Sequence, residues 1–427
     1  MTDVTEQDSG AGSDRAAHLR ERMVAELIGN GDIVSGPVEA AMRTVAREVF
    51  VPEVGLEDAY NAYDAVVTKR DGNGNAVSSV SAPQAQAAML EQADLGPGMR
   101  VLEVGSGGCN AAYLAELVGP TGAVVSVDID EDVVERARRL LAKAGYPRVD
   151  VVLADAELGV PEHAPYDRIL VTAGAWDVPP AWFSQLVEGG VLVAPLRVRG
   201  LTRTVSLALA DGHLSSRSTR LFGFVPMRGT GAHDGMLWEL RDGEIGLRFD
   251  DVFDGDPALL KDVFDGERTD VWSGATIGRT ELLATVQMWL ATALPGFCTV
   301  VVDKARATGV VSLPGNRTSA LGAVDGANLA YVTTRATDDE DLVEFGVHAY
   351  GPQALRLAEE TAEHLRTWSR VHRGGPGPRI TVHPAGTADD ELPDGRVVDK
   401  THSRVTISWP IAANVAPGRE ALHHPTE

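Results

Sequence analysis

Only two cysteines occur in 427 residues, Cys109 and Cys298. They offer no metal-binding spacing and fit a reducing compartment. No uninterrupted apolar run approaches the roughly 20 residues of a membrane span. The opening stretch, 1–13, is acidic and polar and lacks the apolar core of a signal peptide, so a cytoplasmic protein with a disordered tail at 1–13 is expected. Basic residues are in the minority, 38 Lys and Arg against 61 Asp and Glu, for a net charge of −23. They form no basic stripe, so neither nucleic acid nor an anionic membrane is an expected partner. The histidines are scattered without ligand spacing, so no metal site is expected, and there is no internal repeat. What remains is ample apolar sequence for real cores, at a length that suggests two or three domains.

The most informative stretch is 101–109, an apolar run through Val104 that breaks into Gly105, Ser106, Gly107 and Gly108 and then becomes a helix at 111–118. A buried strand feeding a glycine turn and a helix N-terminus presents backbone N–H groups to a ligand. A second apolar run, 123–127, ends in Asp128, placed for ribose hydroxyls. Alone this is a weak signal: a tight strand-to-helix turn has the same pattern, and Cys109 and Asn110 stand where another glycine is usual. Glu103 sharpens it, because a carboxylate at the end of a buried strand is costly unless partnered. It suits a nucleoside with a charged amino-acid tail, which favours S-adenosylmethionine over NAD.

A helix capped by Ser13 or Asp14 is expected to place Leu19, Met23 and Leu27 inward, and a second follows Pro37. The strongest turn signal is Asp71 through Asn75. From 83 to about 209 strands and helices alternate, which predicts an α/β, Rossmann-like domain at 14–235 with a mostly parallel sheet. Gly105, Asp128 and Asp155 all fall at carboxyl ends of its strands, where such sheets bind ligands. After about 235 a long acidic stretch reads as irregular up to Gly274. A helix at 280–294, strand-like runs at 298–303, 308–313, 328–334 and 342–349, a helix at 353–371 and strands at 379–383 and 404–409 then predict an accessory α+β domain at 236–414. Residues 415–427 read as a disordered tail.

Ordered matches across the first 235 residues resemble the protein-L-isoaspartate O-methyltransferase family. They include Leu19-Arg20, Phe50-Val51-Pro52, Ala59-Tyr60, Ser81-Ala82-Pro83, Val104-Gly105-Ser106-Gly107, Pro165-Tyr166-Asp167, Gly189-Gly190 and Phe224-Val225-Pro226. The resemblance implies a Rossmann-like methyltransferase fold, S-adenosylmethionine as donor (S-adenosylhomocysteine as product) and a peptide carboxylate as acceptor. It puts Ser81 at the active-site mouth, Glu103, Gly105, Ser106 and Gly107 at the methionine end, Asp128 with Ile129 at the ribose, and Asp155-Ala156 at the adenine edge. Two departures fall where the family grips its acceptor: the stretch 63–70, and Gln84 in place of an aromatic or His. The layout with an added domain is similar to longer members associated with lanthipeptides, which implies a lanthionine-containing precursor peptide as partner and aspartate methylation leading to succinimide and isoaspartate. The alternative is a general isoaspartyl repair enzyme, and a third reading is a binding protein that has lost turnover.

The chemistry needs little machinery. A carboxylate with a reference pKa near ~4 is ionised at neutral pH, so no general base is required and no His-Asp or Cys-His constellation is expected. Proximity, alignment and water exclusion are to supply the rate. Ser81 is expected to orient the acceptor, against the alternative of capping the helix at Pro83. Val80, Ala82 and Gln84 flank it as expected peptide contacts. Lys69 and Arg70 are either a local attraction for an acidic peptide or a plain solvated pair. Asp155 is either an adenine contact or a loop cap, Cys109 a small buried hydrophobe, and Ser79 structural.

Overall fold

The computed structural model describes residues 4–314 and 317–410. Helix α1 (Val4–Gly29) begins well before the expected cap, inside the stretch read as a tail. No proline interrupts it, and Leu19, Met23 and Leu27 are buried, so packing nucleates a helix that propagates backwards. In α2 (Gly36–Thr44) the Ser35 hydroxyl accepts from the Val38 N–H at 3.4 Å, with Pro37 in the first turn. After α3 (Leu56–Ala59), an antiparallel hairpin of β1 (Val66–Arg70) and β2 (Ala76–Val80) closes on the expected turn. There the Asp71 carboxylate accepts from the N–H groups of Asn73 and Asn75, both at 2.8 Å.

Helix α4 (Pro83–Ala93) leads into β3 (Arg100–Val104), α5 (Cys109–Val118), β4 (Ala123–Asp128), α6 (Glu131–Lys143), β5 (Asp150–Leu153), β6 (Tyr166–Val171), α7 (Pro180–Gln185) and β7 (Leu186–Val198). These strands lie in the order β5-β4-β3-β6-β7, all parallel. The alternation in the sequence anticipates this arrangement, because each crossover helix must return the chain to the same end of the sheet. β8 (Leu201–Ala210) and β9 (His213–Arg220) extend the sheet antiparallel.

A second, wholly antiparallel sheet follows. It comprises β10 (Met236–Leu240), β11 (Ile245–Phe249), β12 (Thr269–Gly278), β13 (Phe297–Val302), β14 (Ser319–Asp325), β15 (Asn328–Ala336) and β16 (Leu342–Tyr350), in the order β10-β11-β13-β14-β15-β16-β12. Helices α8 (Ala284–Ala293) and α9 (Ala354–Thr367) pack on one of its faces. The antiparallel α+β domain is therefore present, with two local differences. The stretch up to Gly274 that reads as irregular holds β10, β11 and part of β12. The expected strand at 308–313 does not form: Val310, Val311 and Leu313 pack onto the core as coil.

The chain then leaves that domain. β17 (Arg379–Pro384), β18 (Arg396–Asp399) and β19 (Ser403–Ser408) join the first sheet, with Thr381 opposite Ser215 and Val382 opposite Leu214. This corrects the expected 236–414 boundary. Ile380, Val382, Val405 and Ile407 share one core with Leu207, Leu209 and Leu214, and β17 covers the edge that β9 would otherwise present to solvent. The expected tail at 415–427 lies outside the described residues. Among the described residues no helix is long and apolar enough to cross a membrane.

Candidate active site

The carboxyl ends of β3, β4 and β6 meet at an open cleft. Backbone hydrogen bonds fix its floor: Gly105 N–H to Val127 O and Thr172 N–H to Val104 O, both 2.8 Å. Gly105 sits at φ +98°, and a Cβ there would lie 2.5 Å from the Thr172 hydroxyl. The glycine is therefore required by the protein's own packing and by its left-handed backbone as well as by a ligand. Beside it, the Ser106 N–H donates to Asp128 Oδ2 at 3.0 Å, which aims the Asp128 carboxylate along the turn. Gly105, Ser106, Gly107, Asp128, Ile129 and Ala156 all line the cleft, as the sequence leads one to expect.

Two segments form the walls. On one side β2 brings Val77, Ser78 and Ser79 over the glycine turn; a Cβ on Gly107 would stand 3.4 Å from the Ser79 carbonyl. On the other, 225–228 is pinned to the loop after β6 by Gly174 N–H to Val225 O at 2.8 Å and Met227 N–H to Gly174 O at 3.0 Å. Asp130, the N-cap of α6, ties both walls together. It accepts from Lys69 of β1 at 2.7 and 2.9 Å and from Arg228 at 3.1 Å. These bonds hold the Asp130 carboxyl below its usual range although burial acts the other way.

Ser81 follows β2 directly and is half-buried; it, Val80 and Ala82 are not among the residues that line the cleft. It does not cap α4: the N-cap is Ala82, and no side chain caps that helix. A residue the sequence reading passed over, Arg47, fixes its backbone. Arg47 is fully buried and donates to the carbonyls of Ser81 at 2.9 Å and Ala59 at 2.8 Å and to the Gln86 side chain at 2.6 Å. The only hint in the sequence is an arginine set among Val45, Ala46, Val49 and Phe50. Val80 is buried beside Ser81 and Ala82 is half-buried.

Several expected contacts are engaged elsewhere. Glu103 is fully buried and does not line the cleft. It accepts from Asn110 at 3.0 Å and from the Ser126 hydroxyl, which in turn lies 2.8 Å from the Ser106 hydroxyl. Asn110 thus uses the position where another glycine is usual. Burial pushes the Glu103 carboxyl up to about 7, against the pull of the Ser126 and Asn110 bonds. Asp155 is committed to Thr230, whose N–H and hydroxyl both donate at 2.9 Å, and to the Glu157 N–H at 3.0 Å. It caps a short turn, as the loop-cap alternative has it. Lys69 is held by Asp130 and Asp132, and Arg70 donates to the Gly74 carbonyl, so neither is a free attraction for an acidic peptide. Gln84 donates to Asp32 at 3.0 Å, away from the cleft. Cys109 is a buried free thiol, as expected. Ser78 and Ser79, by contrast, do reach the wall; in a five-residue strand the alternation is too short to reveal it.

The first half of the chain is similar to known proteins. The profile of the protein-L-isoaspartate(D-aspartate) O-methyltransferase family matches residues 18–231. The chain is 41% identical over 220 residues to the protein-L-isoaspartate O-methyltransferase of Hyperthermus butylicus, covering 49% of this chain and 88% of the relative. It is 40% identical over 222 residues to that of Methanothrix thermoacetophila, covering 51% and 99%. A solved protein-L-isoaspartate O-methyltransferase aligns with 85% of this chain and 96% of its own at 24% identity and a TM-score of 0.47. The chain belongs to the protein-L-isoaspartate O-methyltransferase family and is an S-adenosylmethionine-dependent methyltransferase.

Proposed function

We propose that the chain methylates the free carboxylate of L-isoaspartyl residues in peptides, in the cytosol, with Ser81 as the catalytic hydrogen-bond donor. The observation that carries this reading is the glycine-floored cleft walled by Val77 to Ser79 of β2, with Ser81 two residues further along on a backbone clamped by the buried Arg47. Gly105 to Gly107, Asp128, Ile129 and Ala156 suit the donor, with Asp128 for the ribose. Bound S-adenosylmethionine supplies an electrophilic methyl group on a sulfonium. The chain's part is to hold an acceptor oxygen in line and keep water out. The Ser81 hydroxyl donates to one carboxylate oxygen and leaves the other to attack. Water exclusion favours the reaction because opposite charges cancel as the ester forms. Glu103 serves from beneath the floor: through Ser126 and Ser106 it fixes the turn. The test is the rate of methyl incorporation, read by mass spectrometry, on matched isoaspartyl and aspartyl peptides. This reading expects the isoaspartyl peptide to be methylated faster, and equal or reversed rates would overturn it.

A narrower reading makes the acceptor an ordinary aspartate of a lanthionine-containing precursor peptide, with the ester closing to a succinimide. What favours it is the stretch 63–70, which departs from the family where the acceptor is gripped. The strong likeness to repair enzymes favours the general substrate instead. The same matched pair of peptides separates the two.

A further inference from the structure

The second sheet leaves one half of a face without a partner. Helices α8 and α9 cover that face at the Phe297 and Ala323 end, where both residues are buried. Beyond that end the register continues in a row that grows more exposed away from the helices: Leu321, still packed against their core, opposite Thr299, Thr299 opposite Arg248, and Arg248 opposite Leu237. Leu237 is 50% exposed. Two open cavities lie over this row and share Gly200, Thr299, Thr318 and Ser319, so they form one groove in two parts. Its α8 side is apolar, with Leu283, Val286, Leu290 and Phe345. The other part runs to Arg197 and Asp234, six residues along the chain from Arg228 in the wall of the methylation cleft.

The charge of the groove runs against the rest of the molecule. On a chain of net charge −23 it is lined by three arginines, Arg197, Arg248 and Arg317, against two aspartates, Asp234 and Asp250. Arg197 pairs with Asp250 at 2.7 Å. Arg248 and Arg317 have no ion pair or hydrogen bond among the described residues and stand exposed at opposite parts of the groove. Two exposed cations without ion pairs, one in the apolar α8 part and one in the more polar part, complement an extended chain that carries carboxylates beside apolar side chains.

Building on the proposed peptide carboxyl methylation, we propose that this groove is a second binding site for the peptide substrate. It holds an extended acidic segment distant from the residue being methylated, with Arg248 and Arg317 as its anion contacts. The site selects peptides by length and acidity and takes no part in the methyl transfer itself. The experiment compares two synthetic isoaspartyl peptides on the full chain, a minimal one and one extended on both sides by alternating Glu and Leu. For the wild type the long peptide is expected to have the lower KM. In the double variant Arg248→Gln, Arg317→Gln the KM of the long peptide rises roughly tenfold while its kcat and both constants of the minimal peptide stay unchanged. Equal KM values for the two peptides in the wild type would overturn the proposal, as would a variant that shifts neither peptide or both alike. A second variant, Leu237→Glu, places an anion in the row and is expected to act in the same direction. Failure to methylate the minimal isoaspartyl peptide would instead count against the proposed function.

Discussion

At the scale of single residues, burial separates the roles of Ser81 and Glu103. Ser81 makes no capping bond, so Ser81→Ala is expected to lower kcat by about tenfold or more, the worth of one hydrogen bond to a charged group, with an unchanged melting temperature. A drop in stability of equal weight would restore the helix-capping role. Glu103 is raised from 4.5 to about 7 by burial. A carboxyl raised in the folded state binds a proton there that the unfolded chain has already released, so its effect on stability falls as pH rises from about 4.5 through about 7 and then levels off. Thermal melts across that window should show the wild type losing ground to Glu103→Gln, whose amide never ionises; parallel curves would contradict the burial argument. Glu103 was legible as an oddity in the sequence because a charge inside an apolar strand end demands partners. Its partners were not legible, since Ser126 sits on the neighbouring strand and their pairing is a matter of register. The same holds for Asp155 and Thr230, 75 residues apart.

At the scale of elements, strong local patterns survived and weak ones did not. The alternation from β3 to β7 and the turn at Asp71 are written in period and turn chemistry, which act over a few residues. β11 and β12 are hidden among aspartates and glycines, because the pairing that stabilises them is made with strands dozens of positions away. The hairpin and the segment 225–228 are separate elements that Asp130 ties together. Asparagine caps a helix about as well as aspartate, so Asp130→Asn preserves α6 while weakening the ion pairs to Lys69 and Arg228. We expect the variant to bind S-adenosylhomocysteine about threefold more weakly by calorimetry, and to lose part of the wild type's sensitivity to salt. Wild-type affinity at every ionic strength would show that the two walls stand without this tie.

At the scale of the whole molecule, the chain's return to its first sheet is the feature sequence reasoning missed. The runs 379–383 and 404–409 were visible as strands, yet nothing local says which of two sheets an edge strand will join. Their return braces the loop that follows β6. Lys400 donates to the carbonyls of Trp176 and Arg197, and Asp177 accepts from the His402 N–H at 2.7 Å and the Ser403 hydroxyl at 2.6 Å. That loop begins with Thr172 and Ala173 of the cleft. Ending the chain at 378 would uncover β9 and the apolar residues Leu209 and Leu214. The shortened protein is expected to melt at a lower temperature and to self-associate in size-exclusion chromatography. A monomer with full-length stability would show that the return is dispensable. The account as a whole rests on where an acceptor carboxylate sits relative to the glycine turn. A crystal structure with S-adenosylhomocysteine and an isoaspartyl peptide decides it. We predict the sulfur above Gly105 to Gly107 and the peptide carboxylate hydrogen-bonded to the Ser81 hydroxyl in line with it; a carboxylate bound elsewhere, with Ser81 turned from the sulfur, would contradict the account.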